Sequence, residues 1–195
     1  MNATLDPRRL AASRHNREGQ PSRAAFRSDN STIAQGTVVG AVGGLVGTLV
    51  MDLVLMGALS AIGLPALTCF SIVGNTVARF FSTLGLEMAG GVPLGAAAHY
   101  LIGPLVGTIF GAAVAQVAAL RVDTLKKGIV LAILYVEILS QPILATTPIL
   151  LKMTAHETLQ WFSVSFVMHF MLAVVLGVIV SYGLRLATAA KPGRS

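Results

Sequence analysis

Long apolar runs separated by short polar ones dominate the chain, and four of the runs are long enough to cross a bilayer. They cover Ile33–Ser60, Val92–Leu120, Gly128–Leu151 and Trp161–Leu184, and a helical crossing needs roughly 20 mostly apolar residues. Inside the runs, small and polar residues recur every four positions. Gly36, Gly40, Gly44, Thr48 and Asp52 make one row in span 1, and Gly95, His99, Gly103, Gly107 and Gly111 make another in span 2. Ser165, His169, Ala173, Gly177 and Ser181 make a third in span 4. Residues four apart stack on one helix face, and small residues there let membrane helices approach closely. The pattern predicts an all-α integral membrane four-helix bundle. Ionisable groups on such stripes face protein and not lipid.

The connections carry their own signals. Leu64-Pro65 ends the first helix, because a proline disfavours helical backbone at the residue before it. Over Ser71–Leu84, Ile72, Val73, Val77, Phe80, Phe81 and Leu84 share one face, with Asn75, Arg79 and Ser82 opposite. That is an amphipathic helix suited to the membrane interface between spans 1 and 2, with a re-entrant segment as the alternative. Span 3 carries Glu137 near its middle, then Gln141-Pro142 and Thr147-Pro148. Each proline removes a backbone donor, so a kink or unwinding is expected there.

Spans 2 and 4 also align in register, HYLIGPLVGTI (99–109) over HFMLAVVLGVI (169–179). Spans 1 and 3 align less closely, with Asp52 over Glu137. A tandem repeat of a two-helix hairpin accounts for both alignments. It places His99 and His169 at equal depth, about 12 Å from one surface.

Composition narrows the class. Hydrophobic residues make up 54% and charged ones 11%, against about 25% charged in soluble domains, and the mean hydropathy is +0.77. The expected organisation is a disordered basic tail over 1–32, a membrane domain over 33–187 and a short tail over 188–195. The Arg- and Ser-rich first segment has transit-peptide character, but Asp6, Glu18 and Asp29 argue against that reading. Of 14 Lys and Arg, six lie in the N-terminal tail, three in the loop 121–127 and three at the C-terminus. Only Arg79 and Lys152 lie on the other side. The bias predicts two cytoplasmic termini, and basic residues beside spans meet lipid headgroups rather than nucleic acid. Cys69 is the single cysteine, which excludes an intrachain disulfide.

Four ionisable groups fall inside the spans: Asp52, His99, Glu137 and His169. Two histidines and two carboxylates are a donor set for a divalent metal or a proton or ion path. Two histidines at one depth with glycines beside them also suit haem b. Nothing in the sequence requires either cofactor. The plainer alternative is an interhelical hydrogen bond that holds the bundle together. No hydrolase motif is present: His156-Glu157 lacks the second histidine that a zincin helix requires.

The combination Met51-Asp52-Leu53, Gly63-Leu64-Pro65, His99-Tyr100 with Gly103, Gln141-Pro142 and a histidine opening the last span resembles a group of small four-helix bacterial inner-membrane proteins. The resemblance covers roughly residues 40–184 and leaves out Glu137. It implies four spans in the bacterial inner membrane and singles out Asp52, His99, Gln141 and His169 as interior polar positions. That group has no established activity, so no substrate follows. The functional expectation is a small transporter-like or ion-binding bundle. Its rival is a non-catalytic subunit of a larger membrane complex or homo-oligomer.

Overall fold

A computed structural model describes residues 23–189. Residues 1–22 and 190–195, most of the two expected tails, lie outside the described residues. The described chain is helical and contains no strand. Its elements are α1 (Arg23–Ala61), α2 (Thr68–Ser82), α3 (Val92–Gln116), a 3-10 turn (Ala118–Leu120), α4 (Leu125–Leu144), α5 (Thr146–Leu151) and α6 (Ala155–Ala189). Four segments are long and apolar enough to cross a membrane: Thr32–Ala61, Val92–Gln116, Leu125–Leu151 and Ala155–Arg185.

Helix boundaries follow local chemistry. Pro93 lies in the first turn of α3, where a missing N–H costs no intrahelical bond. Thr124 caps α4 by accepting from the Lys127 N–H at 3.2 Å. Span 4 begins before Trp161 because Thr154 and Glu157 form a capping box. The Thr154 hydroxyl accepts from the Glu157 N–H at 3.3 Å, and the Glu157 carboxylate accepts from the Thr154 N–H at 2.7 Å. Span 2 stops at Gln116, since Val117 is extended. Span 3 runs through Pro142 and breaks at Ala145 between α4 and α5. Pro148 has no N–H to offer the Leu144 carbonyl one turn back, and the Trp161 indole N–H donates to that carbonyl at 3.1 Å.

The spans pack in the order α3, α1, α6, α4, and α3 and α4 meet far less than the other neighbouring pairs do. Antiparallel α1 and α3 meet backbone to backbone. An added Cβ at Gly36, Gly40 or Gly44 would run into the carbonyl oxygen of Gly111, Gly107 or Gly103 respectively. On its next face α1 sets Gly43 against Leu176 and Gly47 against Leu172 of α6. Between α4 and α6, Gly128 faces Ser181 and Gly177 faces the Ile129 backbone. Lipid tails are as apolar as these helices, so close van der Waals packing is what holds such contacts. The fully buried centre is Ala132, Ala173, Leu176 and Val180.

α2 runs antiparallel beside the first turns of α3. Gly74 sits on the Gly91 carbonyl, Gly95 sits on the Phe70 carbonyl, and the Gly91 N–H donates to the Asn75 side chain at 2.9 Å. The hydroxyls of Thr76 of α2 and Thr147 of α5 are hydrogen-bonded at 3.3 Å. These two short helices mark one end of the bundle, called here the α2 end.

Candidate functional site: a buried Asp–His pair beside an apolar cavity

The row that brings α1 onto α3 also positions the first ionisable pair. Thr48 lies level with Gly103, and its hydroxyl occupies the space that a side chain at Gly103 would need. One turn toward the α2 end from that level stand Asp52 on α1 and His99 on α3. The His99 Nδ1–H donates to Asp52 Oδ1 at 3.0 Å, a carboxylate being able only to accept. Asp52 is 3% exposed, and its Oδ2 is buried with no hydrogen-bond partner. The Phe70 ring lies edge-on to the imidazole, with centroids 5.3 Å apart and planes at 72°.

His169 stands at a similar level on α6. Leu172 packs on Gly47 beside Thr48, and His169 is three residues, about one turn, nearer the α2 end. Its Nδ1–H donates to the Ser165 carbonyl of its own helix at 2.7 Å. Each histidine therefore spends Nδ1 as a donor. In the neutral ring Nε2 is left as an acceptor.

Both imidazoles line a cavity of about 1190 Å³ at the α2 end. Its walls come from every helix. Leu101 of α3 and Ile143 of α4 both line it and are 71% and 54% exposed. Below the cavity α3 and α4 are joined: the Tyr135 hydroxyl donates to the Val106 carbonyl at 3.1 Å, and the Phe110 and Tyr135 rings stack at 5.3 Å. The lining is overwhelmingly apolar, and its deep polar groups are Thr48, His99, Ser140, Ser165 and His169. The hydroxyls of Thr48 and Ser140 are buried without a partner.

Of the candidates from sequence, Asp52, His99 and His169 share this layer. Glu137 and Gln141 stand apart. They bond to each other one turn apart on α4, the Gln141 amide donating to Glu137 at 2.7 Å, and neither lines the cavity. Glu137 Oε1 is buried without a partner. Among the described residues, no three His, Cys, Asp or Glu side chains gather closely enough to hold a metal ion. Thr48 stood in the glycine row as a sequence signal, whereas Phe70 and Ser140 carried none.

Comparison with protein-family models, curated proteins and solved structures finds no match to this chain. What stands is an all-helical bundle with four helices able to span a membrane, and a buried carboxylate–imidazole pair beside an apolar cavity.

Proposed function

We propose that the chain is a small transporter-like bundle of the bacterial inner membrane in which the Asp52–His99 pair takes up and releases a proton. The observation that carries this reading is a 3% exposed carboxylate bonded to an imidazole that itself lines a cavity. A buried charge within a span is expensive, and membrane proteins retain such groups on ion and proton paths. A proton is favoured over a divalent metal because Glu137 is engaged with Gln141 away from the pair. In the proposed orientation both termini are cytoplasmic, as the basic residues indicate. α2 then covers the outer end of span 2 at the membrane interface. Close small-residue contacts within both the α1–α3 and the α4–α6 pairs support a duplicated hairpin.

The test is proton movement into liposomes that hold the purified protein and an internal pH dye, under an imposed gradient. Wild-type protein should acidify the lumen faster than empty liposomes, and Asp52→Asn should remove most of the difference. A wild-type rate equal to that of empty liposomes would reject the reading.

A second reading is a haem b-binding, non-catalytic subunit of a larger complex. It is favoured by the two Nδ1–H groups bonded to acceptors, the arrangement that orients a metal-ligating histidine. The thin cover on span 3, with 17% of its apolar window buried, leaves a face for a neighbouring chain. An absorption spectrum of protein purified after growth with haem precursor separates the two, since only this reading expects a haem band lost in His99→Phe.

A further inference from the structure

The cavity is larger than the Asp52–His99 pair needs, and its chemistry is specific. At about 1190 Å³ it exceeds the roughly 300–1,000 Å³ of pockets that hold drug-sized molecules. A helix of another chain does not suit it: at 10 Å diameter that volume takes only about 15 Å of helix, half a membrane crossing. The wall is mostly hydrocarbon, and its exposed lining includes Leu101 of α3 and Ile143 of α4, two spans that meet little.

Polar groups lie at both ends, with Thr147, Glu157 and Gln160 toward α2 and two hydroxyls and two imidazoles at the deep end. Thr48 is 1% exposed, lines the cavity and has an unpartnered hydroxyl. Ser140 faces it across the cavity with a second unpartnered hydroxyl. The two imidazoles add acceptor nitrogens, because both Nδ1 atoms already donate elsewhere. No Lys or Arg lines the cavity, Glu157 at the α2 end is engaged in capping α6, and Asp52 stands behind the wall and not in it. Both hydroxyl oxygens are covered by the wall, and a side-chain rotation that turns them to a ligand recovers the free energy that an unpartnered buried hydroxyl costs. An anionic head finds no cation here, and burying any charge without a partner is costly.

We infer that the cavity binds an uncharged, hydroxyl-bearing amphiphile drawn sideways from the bilayer between α3 and α4. Its hydroxyl donates to His99 or His169 and accepts from Thr48 or Ser140, and its hydrocarbon lies along the apolar wall toward Leu101 and Ile143. This names the substrate class of the transporter-like reading and rests on it.

The experiment uses protein reconstituted in phosphatidylcholine vesicles. The probes are hexadecanol carrying a diazirine near the hydroxyl and the methyl ether of the same compound, which cannot donate. Labelled residues are mapped by mass spectrometry after irradiation. The alcohol should label Val136 and Leu172 of the inner wall about tenfold more than the ether does, the size of one or two hydrogen bonds. Ile138 and Ile149, exposed and outside the cavity, should take up both probes equally. Thr48→Val and, independently, Ser140→Ala should each reduce the preference for the alcohol. Equal inner-wall labelling by the two probes would overturn the hydroxyl assignment, and an unlabelled inner wall would overturn the site. Proton flux does not enter this readout. Lost flux with an intact alcohol preference rejects the transporter reading alone, and the converse rejects this inference alone.

Discussion

The Thr48 hydroxyl fills the place that any side chain at Gly103 would take, so each residue fixes what the other can be. This contact lies one turn below the Asp52–His99 bond and sets the distance between the helices that carry it. Gly103→Ala should push Thr48 aside and part α1 from α3 locally. Overpacking of this kind costs about 1–3 kcal/mol. The midpoint of thermal unfolding in detergent should therefore fall, and Gly107→Leu, which meets the Gly40 carbonyl, should lower it further. Unchanged midpoints in both variants would contradict the backbone-to-backbone contact.

The break in span 3 gives a second prediction. Trp161 supplies the hydrogen bond that Pro148 cannot give to Leu144. Trp161→Phe should cost about 1 kcal/mol beyond the packing change, the net worth of one such bond. In the double variant Trp161→Phe with Pro148→Ala, a backbone N–H becomes available to the same carbonyl. The double variant should unfold at a higher temperature than Trp161→Phe alone. A double variant that is less stable would show that the break has another cause.

How much of this was legible before the fold is a matter of which residues announce their neighbours. The rows ending in Asp52 and containing His99 each pointed to a close helix approach, and both rows belong to the α1–α3 contact. The start of span 4 was readable as Thr154-x-x-Glu157, yet Trp161 drew the boundary too late. Glu137 lies off the cavity lining because depth along a helix says nothing about face, and its partner Gln141 lies on the same helix. The cavity was hidden altogether. It exists because α3 and α4 do not close on each other along their α2 ends, and spacing within a helix does not report which helices are neighbours.

Orientation rests on charge alone and has a direct test. The basic residues crowd the end opposite α2, with Arg121, Lys126 and Lys127 in the loop after span 2 and Arg185 closing span 4. In a Cys69→Ser background, Ser195→Cys should resist an impermeant maleimide added to intact cells, and Thr158→Cys should react. The opposite pattern would invert the topology and place the cavity in the cytoplasmic leaflet.

The last prediction separates the buried pair from the second carboxylate. Asp52→Asn keeps an oxygen that can accept from the His99 Nδ1–H, so the fold should persist with little loss of thermal stability. Asp52→Ala leaves that N–H buried without an acceptor, which costs about 1–3 kcal/mol, and should unfold earlier. Proton flux should drop in both variants because neither can carry the proton. Glu137→Gln removes a charge of the same kind on another face, where Gln141 can still donate to the remaining oxygen. Its flux per folded molecule should match the wild type. If the Asp52–His99 bond is only glue, Asp52→Asn and Glu137→Gln will behave alike, with flux following the amount of folded protein. If Glu137→Gln abolishes flux and Asp52→Asn does not, the proton travels along α4, and the site must be moved from the α1–α3 contact to the Glu137–Gln141 pair.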